Sequence, residues 1–271
     1  MALKRRRLDA ELVRRKIARS REQAVDWIKA GRVYVGGFQA KKPATIVEPE
    51  VSIRVEKAEE DDWASRGAHK LLGALEAFDV SVDGLRVLDA GASTGGFTDV
   101  LLRHGAREVL AVDVGYGQLL WRLQNDERVM VLDRTNIRNL TLEVTEGPCD
   151  AMVGDLSFIS LRLVLPAIVE CLNDGAFLLP MVKPQFEVGK DRLGHGGVVR
   201  SPELRAEVTE EIAAFVRTLG LSCKAVAASP LPGPSGNVEY FLWLVKDGGT
   251  THPDAEALHD MVVRAIEEGP Q

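Results

Sequence analysis

The sequence predicts an α/β fold in which a mostly parallel, seven-stranded sheet follows a small α+β domain. From Ser65 onward, short apolar strands alternate with amphipathic helices, which is the pattern of a parallel sheet covered on both faces. A glycine-rich turn also joins the first of these strands to a helix. The charge changes along the chain as well, because residues 1–42 hold 13 Lys/Arg and 4 Asp/Glu while the remainder holds 21 and 36. A basic head on an acidic protein indicates a polyanionic partner.

Composition excludes several classes of protein. The 271 residues are 45% hydrophobic and 27% charged, an ordinary globular balance. No apolar run approaches the roughly 18 residues that cross a bilayer, so we expect a cytoplasmic protein without a membrane partner. Cys149, Cys171 and Cys223 are too few and too far apart for a disulfide framework or a zinc site. We therefore expect buried thiols and no metal.

The head, residues 1–60, contains signals for two helices and two strands. Apolar residues at near-helical spacing predict helices over 9–18 and 21–30. Ser20 followed by Gln23 resembles a capping box at the start of the second helix, and Gly31 ends it. Short strands are expected at 32–35 and 51–55. An acidic linker, 61–64, is expected to join this domain to the second one, 65–271.

The second domain has the strand and helix order of a Rossmann-like sheet with helices on both faces. The expected strands lie at 86–89, 109–113, 129–132, 151–154, 177–182, 223–227 and 240–245. The expected helices lie at 68–78, 97–103, 118–124, 161–171, 202–219 and 255–267. On such sheets, ligands bind beyond the carboxyl ends of the strands, which is where the polar motifs of this chain fall.

The glycine-rich turn, LDAGASTGGFTD, fits an uncharged nucleoside better than a phosphate. It lacks the Lys of a P-loop, and Ser93 stands where a dinucleotide fingerprint has its second glycine. Asp113 ends the next strand, where a carboxylate accepts from ribose hydroxyls, and Asp133 and Asn136 follow the third strand, within reach of an adenine edge. This set suits S-adenosylmethionine, although a plain tight turn is the alternative. The expected cofactor-binding residues are Gly91, Ala92, Ser93, Thr94, Gly95, Gly96, Phe97, Asp113, Val114, Asp133, Asn136, Asp155 and Phe158.

Four charged residues are expected at the same edge of the sheet. Lys70 lies in the helix before the first strand, Asp155 and Lys183 follow the fourth and fifth strands, and Glu239 precedes the seventh. Such a quartet suits methyl transfer to a hydroxyl group: Lys183 either accepts the proton or holds the hydroxyl while charge develops on its oxygen. Asp155 and Glu239 would orient the lysines, and Lys70 would fix the ribose or a phosphate. The alternative for each residue alone is an exposed ion pair.

These stretches resemble a known family. The chain is similar to the TlyA (haemolysin-A) family of rRNA 2′-O-methyltransferases, of the FtsJ-like group, in SRGAHKL, LDAGASTGGFTD, DVGYGQL, DLSFISL, VKPQFEVGK and SPLPGPSGNVEYF. The resemblance implies S-adenosylmethionine as cofactor and a catalytic Lys-Asp-Lys-Glu tetrad at Lys70, Asp155, Lys183 and Glu239. It further implies methylation of cytidine ribose in 23S rRNA, with 16S rRNA as a second substrate, and a link to capreomycin and viomycin sensitivity.

The head resembles the alpha-L RNA-binding motif from Leu8 to Gly37. This resemblance implies ribosomal RNA, within ribosomal subunits, as the partner. Basic side chains would contact phosphates and make binding salt-dependent. The candidate RNA-binding residues are Arg5, Arg6, Arg7, Arg19, Arg21, Lys41, Lys42, Arg66, Arg134 and Lys190.

Two other functions fit parts of the pattern. A non-catalytic RNA-binding factor of ribosome assembly would keep the fold and the head without the chemistry. A methyltransferase for small-molecule hydroxyls would keep the quartet without needing the head.

Overall fold

The structure, a computed structural model, describes residues 5–18, 20–56, 63–189, 191–194, 196–233 and 235–270. The chain divides into two compact units, Met1–Asp62 and Trp63–Gln271. The division falls within the expected linker, of which residues 61 and 62 lie outside the described part of the chain. Trp63 and Ala64 belong to the second unit, where the amide of Ala64 donates to the carboxylate of Asp99 at 2.8 Å.

The first unit combines two helices with short antiparallel strands. Its elements are β1 (Arg6–Arg7), α1 (Leu8–Arg14), α2 (Arg21–Lys29), β2 (Val33–Val35), β3 (Phe38–Gln39), β4 (Ile46–Val47) and β5 (Ile53–Val55). Strand β2 pairs with β3 and β5, and β1 pairs with β4. Its core includes Leu8, Leu12, Ala24, Trp27, Ile28 and Val33. Both helices place their periodic apolar residues in this core, as the spacing predicts.

The first unit departs from the expected pattern in two details and confirms it in a third. Helix α1 ends at Arg14 rather than at residue 18, because Lys16 takes a left-handed conformation (φ 58°) that a helix cannot contain. The cap at Ser20 is confirmed, since its hydroxyl oxygen accepts from the amide of Gln23 at 3.2 Å. Strands β1, β3 and β4 were not expected, because two residues are too few to display a strand period.

The second unit is built around the seven-stranded sheet. Its strands are β6 (Arg86–Ala90), β7 (Glu108–Val112), β8 (Val129–Leu132), β9 (Cys149–Gly154), β10 (Leu172–Val182), β11 (Leu221–Ala228) and β12 (Tyr240–Lys246). Its helices are α3 (Gly67–Phe78), α4 (Gly96–Arg103), α5 (Trp121–Gln124), α6 (Leu161–Glu170), α7 (Pro184–Glu187), α8 (Pro202–Phe215) and α9 (Ala255–Glu268). The strand order is β11-β12-β10-β9-β6-β7-β8. Strand β12 runs antiparallel to both of its neighbours, and the other neighbouring pairs are parallel. The predicted α/β class with a mostly parallel sheet is confirmed.

Two apolar layers enclose the sheet. Val87 packs in one cluster with residues of α3 and α4, whereas its neighbour Leu88 packs in a second cluster with residues of α6, α8 and α9. The side chains of a strand alternate between faces, so one strand supplies both layers. The central strands are buried on both faces and therefore read as continuous apolar runs in the sequence.

Three expected bounds in the second unit were wrong. The helix expected over 118–124 is only Trp121–Gln124, because Leu120 is extended (ψ 138°) and its amide donates to the carbonyl of Thr94. The helix over 202–219 is α-helical to Phe215 and continues as a 3₁₀ helix. Strand β10 begins at Leu172 rather than at residue 177, with a register shift between these positions.

The three cysteines are buried and free, which confirms the expectation of buried thiols. Burial raises the pKa of Cys149 to about 11 and that of Cys223 to about 12. Among the described residues, no helix has both the length and the apolar character that crossing a bilayer requires.

Candidate active site

The topology of the sheet brings four charged side chains to one edge. Lys70 lies in the first turn of α3, Asp155 directly follows β9, and Lys183 directly follows β10. Strand β12 runs antiparallel to β10 and pairs Tyr240 with Val182, so Glu239 arrives next to Lys183. The four residues that the sequence predicted to converge therefore do so. We call them the charged quartet.

The charges of the quartet alternate around a ring. Lys70 Nζ lies 2.7 Å from Glu239 Oε2 and 3.3 Å from Asp155 Oδ2. Lys183 Nζ lies 2.5 Å from Asp155 Oδ1 and 3.9 Å from Glu239 Oε1. Each ammonium group thus faces both carboxylates, and the net charge of the ring is zero. This balance allows the four groups to be buried together.

Burial of the quartet separates its members from ordinary surface ion pairs. The exposed fractions of the side chains are 10% for Lys70, 7% for Lys183, 1% for Glu239 and 21% for Asp155. Burial alone would lower the pKa of Lys70, but the carboxylates of Asp155 and Glu239 outweigh it and raise that pKa. Burial opposes the ionised form of Asp155, but the ammonium groups of Lys183 and Lys70 hold its pKa below the usual range. Lys70 and Asp155 are therefore both charged near neutral pH.

A cavity of about 550 Å³ opens beside the quartet. Its lining residues come from the turns after β6, β7, β8 and β9, and they include Gly91, Ser93, Asp113, Val114, Asn136, Asp155 and Phe158 of the expected cofactor set. The volume lies in the range of small-molecule sites, and the lining mixes carboxylate and amide groups with apolar ones such as Leu156. A nucleoside with an amino-acid end, such as S-adenosylmethionine, matches this size and this chemistry. Asp155 belongs both to the cavity lining and to the quartet, so the two sites share a wall.

The other expected cofactor residues do not line this cavity. Gly95 caps α4 with φ 96°, and a Cβ there would lie 2.3 Å from the side chain of Leu123. Phe97 is buried against Phe241, and the carboxylate of Asp133 accepts from the amide of Gly117. Ala92, Thr94 and Gly96 are likewise outside the lining. Contact between these residues and the cofactor stays a prediction.

Asp113 has a second role that the sequence did not reveal. Its carboxylate accepts from the amide of Ser93 at 2.9 Å and from the amide of Gly115 at 2.7 Å. It therefore ties the glycine-rich turn to the turn after β7. Ser93 is left-handed (φ 48°), so the residue that replaces the expected glycine still takes a glycine-like backbone conformation.

The sequence analysis also missed partners of the quartet. The hydroxyl oxygen of Ser157 accepts a hydrogen bond from Lys183 Nζ at 2.9 Å, and Gln185 lies 3.5 Å from Glu239. Gln118, Thr135 and Arg138 line the cavity without having been expected there. Ser157 and Gln185 each stand two residues after a quartet member, which is the signal that can find them.

The candidate RNA-binding residues of the first unit fall into two groups. Arg5 pairs with Glu48, and Arg7 and Arg21 pair with Asp9, at 2.8 to 3.1 Å. Arg6, Lys41 and Lys42 are exposed. Arg19 lies outside the described residues, as does Lys190 of the second unit.

The remaining two candidates belong to the second unit and are exposed. Arg66 precedes α3, four residues before Lys70. Arg134 lies with its guanidinium group 4.2 Å from the ring centre of Tyr116, a residue that is 69% exposed. RNA contact by all of these residues stays a prediction.

Comparison with known proteins assigns each of the two units to a known family. Residues 63–246 match the FtsJ-like methyltransferase family, and residues 6–53 match the S4 domain. The chain is 57% identical to the 16S/23S rRNA (cytidine-2′-O)-methyltransferase TlyA of Mycobacterium tuberculosis, over 98% of this chain and 99% of that protein. It is 33% identical to the 23S rRNA (cytidine-2′-O)-methyltransferase TlyA of Campylobacter jejuni, over 68% of this chain and 72% of that protein.

Solved structures agree with this placement. A candidate hemolysin from Streptococcus thermophilus is 36% identical and superposes with a TM-score of 0.75, covering 98% of both chains. The sequence resemblance to the TlyA group is thereby confirmed. The chain belongs to the TlyA family of FtsJ-like methyltransferases that carry an S4 domain.

Proposed function

We propose that this S-adenosylmethionine-dependent methyltransferase modifies the ribose 2′-hydroxyl of cytidine in 23S rRNA and also in 16S rRNA. The observation that carries the proposal is the position of Asp155, which lines the cavity and also pairs with both lysines of the quartet. A substrate hydroxyl group bound at Lys183 would therefore lie next to the cavity. The names of the two TlyA relatives supply the choice of nucleoside and rRNA.

The cavity supplies the donor side of the reaction. Bound S-adenosylmethionine provides an electrophilic methyl group attached to a sulfonium sulfur. Asp113 and Asn136 would accept from its ribose and adenine, and the apolar side chain of Leu156 would pack against it. In our proposal these residues fix the direction from which the hydroxyl oxygen approaches. Correct alignment of reacting groups can lower the activation barrier by on the order of 7–11 kcal/mol.

The quartet supplies the acceptor side. We propose that Lys183 first releases a proton to solvent and then, as a neutral amine, takes the proton of the 2′-hydroxyl as the oxygen forms its bond to the methyl carbon and the carbon–sulfur bond breaks. The ammonium group formed in this way is stabilised by Asp155 and Glu239, which already face Lys183 Nζ. Lys70 stays charged because its pKa is raised, so it can hold the ribose or the adjacent phosphate. Lys183 thus returns to its ammonium form, which completes the proton balance.

The first unit supplies the attraction for RNA. Its arginines and lysines would contact phosphates, which gives affinity without sequence reading. Since the proposed substrate is a ribosomal subunit, we place the reaction in the cytoplasm. Through the family resemblance, the proposal extends to capreomycin and viomycin sensitivity, which the presence of the methyl groups would change.

The test is to map 2′-O-methylated nucleotides in rRNA from cells with the protein, without it, and with a Lys183→Met variant. We expect cytidine methylation with the wild type alone. The control variant Lys224→Met removes a lysine of β11 that pairs with Asp247, and it should keep the modification. Full methylation by Lys183→Met would contradict the role of Lys183. Binding of ribosomal particles without any methyl transfer by the wild type would instead identify a non-catalytic assembly factor.

A further inference from the structure

Glu187, at the end of α7, makes two hydrogen bonds to another part of the site. Its Oε2 accepts from the hydroxyl of Ser160 at 2.6 Å, and its Oε1 accepts from the amide of Leu161 at 2.8 Å. Ser160 and Leu161 are the cap and the first residue of α6. A carboxylate that stands 26 residues further along the chain thus closes the start of this helix. We call these two hydrogen bonds the Glu187 clasp.

The clasp is the last of three sets of contacts between two segments that each carry one member of the quartet. The segment 155–161 follows β9, and the segment 183–187 follows the neighbouring parallel strand β10. At their near ends, Lys183 contacts Asp155 and Ser157. In the middle, the rings of Phe158 and Phe186 lie with centroids 5.2 Å apart. The clasp joins the far ends, so the two segments are fastened along their whole length.

The segment 155–161 needs an external restraint of this kind. Phe158 takes a left-handed backbone conformation (φ 63°), and 90% of its surface is exposed. Such a conformation costs a bulky residue about 1–3 kcal/mol and persists only where surrounding contacts impose it. Burial of Phe158 in a core does not provide those contacts. The restraining contacts are instead the hydrogen bonds of the clasp at Ser160 and Leu161 and the ring contact between Phe158 and Phe186.

The two hydrogen bonds of the clasp come from neutral groups, so the clasp does not require Glu187 to form an ion pair. The pKa of Glu187 is raised, because the effect of burial outweighs the opposing effect of the hydrogen bonds from Ser160 and Leu161. Arg162 and Glu211, the charged groups that act on it electrostatically, also pair with each other at 3.3 Å. The oxygen atoms of Glu187 accept from an amide and a hydroxyl. A neutral glutamine can accept from the Leu161 amide with its oxygen and donate from its NH2 group to the hydroxyl oxygen of Ser160, so it can keep both contacts with the second bond reversed. Shape and hydrogen bonding, rather than charge, are therefore what this position requires.

We propose that Glu187 is a positioning residue for methyl transfer, because it holds the segment with Asp155 and Ser157 in register with the segment that begins at Lys183. The inference rests on the proposed function. Without the clasp, Ser157 and Asp155 lose their fixed distances to Lys183 Nζ, and the amine no longer meets the hydroxyl at one defined angle. A misplacement of about 1 Å at a reacting group can lower a rate about 100-fold. The first unit, which would bind rRNA, is unaffected.

The experiment compares Glu187→Ala, Glu187→Gln and the matched control Glu170→Ala in the full-length protein. Glu170 is an exposed glutamate at the opposite end of α6. Methyl transfer to ribosomal subunits is measured at saturating labelled S-adenosylmethionine over a range of subunit concentrations. Melting temperature is recorded for each variant, and hydrogen exchange of the Leu161 amide, monitored by NMR, reports whether the clasp has opened.

We expect Glu187→Ala to lower kcat about 100-fold with an unchanged KM for subunits, and to speed exchange at Leu161. Glu187→Gln should restore kcat to within a few-fold of the wild type, as should Glu170→Ala. A wild-type kcat in Glu187→Ala despite fast exchange at Leu161 would overturn the inference. So would a glutamine variant that folds, protects Leu161 and is as slow as the alanine variant. Failure of the wild type itself to methylate rRNA would refute the proposed function instead.

Discussion

Buried carboxylates of the first unit and of the quartet have different kinds of partner. In the first unit, Asp9 and Glu11 are buried, but their partners Arg7 and Arg14 each keep 48% of the side-chain surface exposed. In the second unit, the lysines of the quartet are nearly as buried as the carboxylates they face. The same charge pairing is thus half open at Asp9 and Glu11 and closed in the quartet.

This difference assigns different tasks to the same attraction. An arginine has five N–H donors in a planar fork, so one that is held by a carboxylate still presents donors to an approaching phosphate. A buried lysine meets only the groups that enter its site. This comparison supports our proposals that the first unit attracts a polyanion and that the quartet acts on one hydroxyl group.

The sharpest way to test the comparison is to remove one carboxylate from the quartet and one from an exposed ion pair of the first unit. We expect Glu239→Ala to abolish methyl transfer and to lower the free energy of unfolding by about 3–5 kcal/mol, because it leaves two buried ammonium groups facing a single carboxylate. Glu48→Ala in the first unit should change the unfolding free energy by about 0–1 kcal/mol, since both Glu48 and Arg5 are about two-thirds exposed. Urea unfolding monitored by circular dichroism measures both. Equal losses for the two variants would remove the distinction between open and closed pairs.

The second prediction concerns Asp89, a fully buried carboxyl at the end of β6 that accepts from the hydroxyl of Thr98 at 2.6 Å. Burial raises its pKa to about 7, and the nearby carboxylates of Asp155 and Asp113 act in the same direction. The folded state therefore holds a proton that the unfolded chain loses near pH 4, so this residue makes the second unit less stable as pH rises from about 4 to about 7. Chemical denaturation of the wild type and Asp89→Asn over this range is the measurement. The stability difference between them should change with pH; a constant difference would contradict the raised pKa.

The third prediction is the opposite pH response of the first unit. Hydrogen bonds from Arg7 and Arg14 lower the pKa of Asp9 and of Glu11 to about 2. The contribution of these carboxylates to stability is complete above about pH 4.5 and is lost as the pH falls toward about 2. Trp27 lies in the core of the first unit and Trp243 packs against a core cluster of the second, so fluorine NMR of fluorotryptophan-labelled protein follows each unit separately. Asp9→Asn should reduce the acid sensitivity at Trp27 and leave Trp243 unchanged.

The smallest expected effect belongs to the exposed lysines of the first unit. Replacing both Lys41 and Lys42 by alanine should reduce the slope of log affinity against log salt by about 1.5 for rRNA, because each phosphate contact contributes about 0.7–0.9. Filter binding to ribosomal subunits at several salt concentrations measures this slope. The same double substitution should leave kcat unchanged. An unaltered slope would exclude these lysines from the RNA interface.

Much of the site could be predicted because it follows from topology. Asp155 and Lys183 stand directly after neighbouring parallel strands, and the carboxyl ends of such strands share one edge. Glu239 was predictable for a related reason, since it precedes the strand that pairs with β10. Strand ends can be read from apolar runs in the sequence, so these positions could be found without coordinates.

The rest depends on how loops fold, which the sequence pattern does not encode. Ser157 reaches Lys183, and Glu187 reaches Leu161, only because the two segments after β9 and β10 run alongside each other. The pairing of Arg7 and Arg21 with Asp9 was missed for the same reason, as these residues come together from separate elements. The pairing of Glu11 with Arg14 and Arg15 was readable, because three- and four-residue spacing places side chains on one face of a helix.

Strand β12 has a consequence for how the protein is made. The cavity is lined by residues between Gly91 and Val164, whereas the last member of the quartet arrives only with Glu239, at the start of the inserted antiparallel strand. During synthesis, the sequence for the donor pocket therefore leaves the ribosome about 75 residues before the reaction centre is complete, counted from Val164 to Glu239. Chains that terminate early in this interval carry every lining residue of the pocket and lack the chemistry. In our proposal, methyl transfer therefore becomes possible only after Glu239 has been translated.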